Sequence, residues 1–184
     1  RFSDVDLVGL NIDDRQLEVA RRRVQARPGN RIEFVHADAC QLPFTDGSFD
    51  AVLALECIFH FPSRMRFLRE AQRVLRPGRR LGISDMVPLG LALPALVRAY
   101  FSLPFYGQVN PVQSTVTSYR MLAHWAGLKL RGNEDITRNT LPSFDVLEQY
   151  FGTISPEAAQ ETRAFAKIFR RGLMRYRLLS FEKR

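Results

Sequence analysis

Cysteine is almost absent from this chain. Cys40 and Cys57 are too few for a disulfide framework, and neither stands near residues that would complete a metal site. Both read as reduced, buried thiols of a cytoplasmic protein. The three histidines, His36, His60 and His124, do not form a ligand cluster. No apolar run approaches the roughly 20 residues needed to cross a bilayer, and no signal-type segment opens the chain. Glycine is sparse where it matters: among eleven glycines, no two lie closer than Gly78 and Gly82, so the chain carries no GxGxG turn.

What is present suits a single α/β domain. The 184 residues suffice for one core, and 46% hydrophobic with 25% charged residues are globular values. The net charge of +8 comes almost entirely from arginine. Arg21, Arg22 and Arg23 fall in one expected helix, and Arg64, Arg66, Arg69, Arg73 and Arg76 in another. They are not interleaved with aromatics as in a stacking platform. The reading is therefore of solvated helix faces, with no nucleic-acid partner and no membrane partner.

Three apolar runs have the spacing of parallel strands: Ile32–Val35, Phe49–Leu55 and Leu81–Ser84. Each leads to an acidic group, Asp38, Glu56 or Asp85. Open parallel sheets bind ligands beyond their carboxyl edges, so three acids at three strand ends point to one crevice. Upstream, Val5–Leu10 reads as a strand. A helix follows with Leu17, Ala20 and Val24 at helical spacing, Asp13 as N-cap and Gln16 in the capping-box position, stopped by Pro28-Gly29-Asn30. Residues 87–113 are apolar and broken by Pro88, Pro94 and Pro104, a composition that suits a lid. Beyond them come a helix over Ser114–Gly127, with Trp125 read as core, and a strand over Leu128–Ile136. A helix over Leu141–Phe151 follows, then one that starts at Ser155-Pro156-Glu157 and runs to Gly172. Met174–Glu182 reads as a last strand.

The block ADACQLPFTDGSFDAVLALECIFHFPSRMRFLREAQRVLRPGRRLGISD resembles the centre of class I S-adenosylmethionine-dependent methyltransferases. It is most similar to the small-molecule group that includes the erythromycin and rebeccamycin sugar O-methyltransferases and the sarcosine/dimethylglycine N-methyltransferases. The likeness runs from about Leu7 to the C-terminus. It implies a Rossmann-like, mostly parallel sheet with an antiparallel C-terminal strand, helices on both faces and a cover over the acceptor at 87–113. The family's first strand and glycine-rich turn are missing from this sequence, so the chain is expected to open at the family's second strand. The sheet edges on either side of that strand would then be unpaired, with apolar surface open.

The resemblance also assigns roles. Asn11 stands where the family grips the donor's ribose, with Gln16 as a second ribose contact or a helix cap. Asp38 would receive the adenine amino group or cap its own turn, with the Ala39 backbone N–H beside it and Ile12 and Leu42 on the adenine faces. Leu55 and Glu56 would lie along the methionine moiety. His60 falls near the acceptor, as a base or a structural residue, with Asp85 as base or orienter. Phe59, Tyr100, Phe101, Tyr106, Asp135, Thr137 and Thr140 would line the acceptor pocket.

The implied activity is methyl transfer to a small-molecule acceptor, first to oxygen of a natural product or sugar, then to nitrogen or carbon. S-adenosylmethionine is the implied cofactor and S-adenosylhomocysteine the product. A non-methylating, pericyclase-like or binding protein on the same fold is the alternative. An RNA methyltransferase would suit the charge but has no supporting motif, and LPFxDxSFD has no role in hydride transfer. The expected assembly is a monomer or homodimer in the cytoplasm, with no metal.

Overall fold

A computed structural model describes residues 4–89 and 113–184. Their elements alternate as the apolar pattern requires. β1 (Asp6–Asn11), α1 (Asp14–Arg23) and β2 (Arg31–His36) come first. β3 (Phe49–Leu55), one 3-10 turn (Ile58–His60), α2 (Arg64–Val74) and β4 (Leu75–Pro88) follow. After the gap come α3 (Val116–Trp125), β5 (Leu128–Asp135), α4 (Thr137–Thr140), α5 (Ser143–Gly152), α6 (Pro156–Arg170) and β6 (Met174–Lys183).

The strands form two ladders. β1 pairs with β2 in parallel, and the order in the second sheet is β3-β4-β6-β5. β3 and β4 are parallel; β6 runs antiparallel to both β4 and β5. This is the mostly α/β, Rossmann-like arrangement with an antiparallel last strand that the sequence implies. No ladder joins β1 to β3 among the described residues. Leu7 on β1 and Leu53 and Leu55 on β3 are 48%, 67% and 58% exposed.

Two cores sandwich the four-stranded sheet, and residue alternation along β4 divides them. Leu81, Ile83 and Val87 face α2 and α3, where Phe67, Leu68, Ala71, Tyr119 and Ala123 pack on them. Met86 faces α5 and α6 with Phe144, Phe165, Phe169 and Met174. In that second core the Phe169 and Tyr176 rings stack at 4.8 Å. Each such fully buried large side chain contributes about 1.5–3 kcal/mol.

The helices start where polar caps stand. Ser63, Thr115 and Ser155 each accept a first-turn N–H on the side-chain oxygen, and Pro156 occupies the first turn of α6. Gly127, at φ +80°, stops α3 in a conformation that side chains resist. A Cβ at Gly82 would lie 2.9 Å from the Leu53 side-chain end, which would have to shift to admit it.

Several expectations need correction. α1 ends at Arg23, before Pro28, and Val24 is 46% exposed. β4 is longer than Leu81–Ser84, because the chain enters it directly from α2 through an irregular register between Phe49 and Ala51. Trp125 is 60% exposed. It lies two positions past buried Ala123, about 200° round the helix, on the face turned away from the sheet. Nor is the second arginine group a uniform solvated face. Arg64 is 4% exposed, and Arg76 belongs to β4 and pairs with Asp50 at 2.6 Å. Most of the 87–113 segment lies outside the described residues.

Candidate active site

The residues assigned to the cofactor follow β1, β2 and β3 at the carboxyl ends of these parallel strands, the side on which open parallel sheets bind ligands. After β1, Asn11 turns its amide oxygen onto the Asp13 N–H at 3.0 Å. Asp13 caps α1 as expected, but its carboxylate is gripped by Arg15 at 2.8 Å, which holds it below the usual carboxylate range. Gln16 is exposed on α1, and among the described residues its side chain makes no capping-box bond. Ile12 is 67% exposed, and its carbonyl meets His36 Nε2 at 2.8 Å, which ties the β1 tip to the β2 tip.

After β2, Asp38 Oδ1 accepts the Cys40 N–H at 2.8 Å, the turn-capping role. Its second oxygen and the neighbouring Ala39 N–H have no hydrogen-bond partner among the described residues. An unpaired acceptor thus stands beside an unpaired donor. Leu42 closes the turn, and its N–H is held by Glu70 at 2.8 Å.

Arg73 staples the LPFTDGS segment from beneath. It donates to the carbonyls of Phe44 and Leu42 at 2.7 and 2.9 Å and pairs with Asp46 and Glu70 at 2.8 Å. Its bond to Glu70 lowers that carboxyl's pKa. The sequence motif is therefore a loop built around one guanidinium.

At the β3 tip, Leu55 is exposed and Glu56 takes a left-handed backbone, φ 51°. Ser84, 6% exposed, holds it twice: its hydroxyl donates to Glu56 Oε1 at 2.9 Å, and its oxygen accepts the Glu56 N–H at 3.2 Å. Burial pushes this carboxyl up, and the serine hydrogen bond opposes the shift. The next residue, Cys57, is pushed up to about 11 by burial and by the charges of Asp85 and Glu56, so it stays a thiol at neutral pH. His60 follows on the 3-10 turn, exposed, with its ring 4.3 Å from that of Phe59.

Asp85 does not open on this crevice. It is 0% exposed. Tyr119 donates to one of its oxygens and the Met86 N–H to the other, at 2.8 Å. Arg64 stands 4.0 Å away, bonded in turn to the Tyr119 oxygen at 3.3 Å and to Ser114 at 2.8 Å. Burial raises the Asp85 carboxyl to about 6 against the pull of Tyr119 and Arg64. No hydrogen bond or ion pair joins Asp85 to His60 among the described residues. The contacts of Asp85 are with Tyr119 and Arg64.

On the far side, Asp135 accepts from the Thr137 N–H at 3.0 Å and from its hydroxyl, and faces Arg175 and Arg177 at 3.4 and 3.5 Å. Thr140 spends its hydroxyl on the carbonyls of Ile136 and Thr137 within α4. Tyr100, Phe101 and Tyr106 lie outside the described residues. Among the described residues, no group of three or more His, Cys, Asp or Glu suits a metal ion, and no helix is long and apolar enough to cross a membrane.

Comparison with known proteins decides the family. Residues 2–83 match a family described as a methyltransferase domain. The chain is 36% identical over 180 residues to methyltransferase GfsG of Streptomyces halstedii, covering 92% of this chain and 63% of that protein. It is 34% identical over 165 residues to the 27-O-demethylrifamycin SV methyltransferase of Amycolatopsis mediterranei, covering 88% and 60%. Among solved structures, the [4+2]-cyclase SpnF superposes with a TM-score of 0.72 at 19% identity, over 97% of this chain and 74% of that one. The chain belongs to the class I methyltransferases. It spans about three fifths of the length of these two curated relatives.

In class I terms, the structure brings the Asn11, Asp38–Leu42 and Glu56–His60 segments to strand ends on the carboxyl side. It withdraws Asp85 into the core. Sequence reasoning missed Ser84, Arg73, Tyr119 and Arg64. One signal was available for Arg64: a cation in the first turn of a helix is opposed by the helix dipole, so it implies a partner.

Proposed function

We propose that the protein transfers a methyl group from S-adenosylmethionine to a hydroxyl oxygen of a small natural-product acceptor. The observation that carries this reading is the unpaired Asp38 oxygen beside the unpaired Ala39 N–H. An adenine edge offers an amino donor next to a ring-nitrogen acceptor, the complement of that pair. The Asn11 amide nitrogen and the Glu56 carboxylate supply the polar groups for a ribose and an amino-acid tail. The donor, when bound, supplies an electrophilic methyl carbon and its own thioether leaving group.

The protein's work is then positioning, exclusion of water and removal of one proton. His60, exposed at the rim and fixed against Phe59, is the base: its imidazole takes the hydroxyl proton as the acceptor oxygen bonds to the methyl carbon. An oxygen acceptor is supported by the relatives whose names specify O-methylation, and a cytoplasmic setting by two cysteines with no disulfide.

Calorimetry with S-adenosylhomocysteine and the full-length protein tests the donor site: Asp38→Ala lowers affinity about 10-fold or more. Mass spectrometry of a panel of hydroxylated small natural products incubated with the donor tests the transfer, read as gain of one methylene. There His60→Ala cuts turnover about 100-fold. Donor binding without methyl gain in any acceptor would leave the non-methylating alternative.

A further inference from the structure

A cavity of about 330 Å³ lies between the end of β4, the beginning of β6 and the start of α3. Val87, Pro88, Leu89 and Val116 make an apolar wall, and Arg175 and Arg177 make the polar one. Leu89 and Thr115, near the two ends of the segment read from sequence as an acceptor cover, are among its lining residues.

The register explains the arginines. Along one face of β6, Phe181 and Leu179 are 0% and 1% exposed and pair with Leu81 and Ile83. The next two residues on that face are Arg177, opposite Asp85, and Arg175, opposite Val87. The hydrophobic core thus gives way within one strand to two guanidiniums.

These guanidiniums are less satisfied than others in the chain. Arg31, Arg76 and Arg170 meet their carboxylates at 2.7, 2.6 and 2.6 Å. Arg175 and Arg177 share one carboxylate, Asp135, at 3.4 and 3.5 Å, beyond the range of a strong charge-assisted hydrogen bond. The Arg177 Nε is buried and has no hydrogen-bond partner among the described residues, a condition that calls for an explanation. Among the described residues, Asp135 is the one carboxylate within ion-pair range of these two guanidiniums.

We propose that this cavity binds the carboxylate of an organic acid, with the apolar body of the acid against Val87, Pro88, Leu89 and Val116. A guanidinium fork takes a planar carboxylate in two parallel bonds, and the apolar wall favours a singly charged, carbon-borne anion over free phosphate. That the acid is the methyl acceptor rests on the methyl-transfer reading; the binding site itself does not.

Equilibrium dialysis of the full-length protein with benzoate, benzamide and inorganic phosphate tests the site, with S-adenosylhomocysteine binding measured separately. Benzoate binds saturably and at least about tenfold more tightly than benzamide, and Arg177→Met removes at least about tenfold of that affinity. Thr117→Trp fills the cavity from its exposed rim and abolishes benzoate binding, which decides the matter if Arg177→Met does not fold. Equal binding of benzamide, displacement of benzoate by equimolar phosphate, or unchanged benzoate affinity in both variants overturns the proposal. Benzoate binding without S-adenosylhomocysteine binding keeps the acid site and removes the methyl-transfer reading. The reverse removes the acid site alone.

Discussion

Tyr119 on α3 donates its phenolic proton to Asp85 on β4, 34 positions earlier in the chain, in a core where both side chains are 0% exposed. The same phenol oxygen accepts from Arg64 at the start of α2. One hydroxyl therefore holds an acid and a base apart while serving both. Burial also raises the phenol's pKa well above its ordinary value, so it stays a donor at any physiological pH.

Asp85 makes stability fall with rising pH over a defined window. Its folded value of about 6 lies above the ordinary 3.8, so the folded state holds a proton that the unfolded chain releases. The contribution is intact below 3.8 and lost as pH climbs through about 6, a change of about 3 kcal/mol. Denaturant unfolding at a series of pH values reads it. The difference between the native protein and Asp85→Asn narrows by about that amount across the window, and parallel curves would refute the assignment.

Tyr119→Phe keeps the ring and removes the hydroxyl. Asp85 loses a donor and Arg64 an acceptor in a dry site, so unfolding free energy drops by about 1–3 kcal/mol. Because that hydrogen bond pulls the Asp85 pKa down, the pH window of the variant also shifts upward. A drop in stability with an unmoved window would mean that packing alone was lost.

Two arginine substitutions ought to differ sharply. Arg73→Met removes the staple under Leu42–Asp46 and lowers stability by about 2 kcal/mol, with a loss of donor affinity as the Asp38 turn loosens. Arg76→Met breaks only an exposed pair with Asp50 and changes stability by less than about 1 kcal/mol. Melting curves and calorimetry on both proteins make the comparison, and equal effects would remove the special role of Arg73.

Ser84→Ala deprives Glu56 of its one side-chain donor among the described residues. The carboxyl rises further from the usual range, since that hydrogen bond is what opposes burial. S-adenosylhomocysteine binding is expected to weaken several-fold, and increasingly so as pH falls, because the protonated acid no longer pairs with an ammonium. A pH-independent loss would place Glu56 outside the donor site.

The strands were legible because short, mostly apolar runs bounded by turn residues mark strands, and Phe49–Leu55 matches β3 residue for residue, although Leu53 and Leu55 on it are exposed. The start of α6 was legible because Ser155 and Pro156 act through local geometry. Arg64 and Asp85 were not legible in the same way. Their partners come from 55 and 34 positions away, and a charged residue in a linear pattern carries no mark of who will meet it. The crevice acids looked equivalent as strand-end residues; depth in the core, set by Tyr119, separates Asp85 from Asp38 and Glu56.

The positive φ of Glu56 has a consequence for engineering. A residue with a Cβ in that conformation costs about 1–2 kcal/mol that glycine would not. Replacing it with glycine relaxes the backbone while deleting the carboxylate, so the more heat-tolerant protein is expected to be the poorer donor binder. Thermal robustness and ligand affinity are in competition at a single torsion angle.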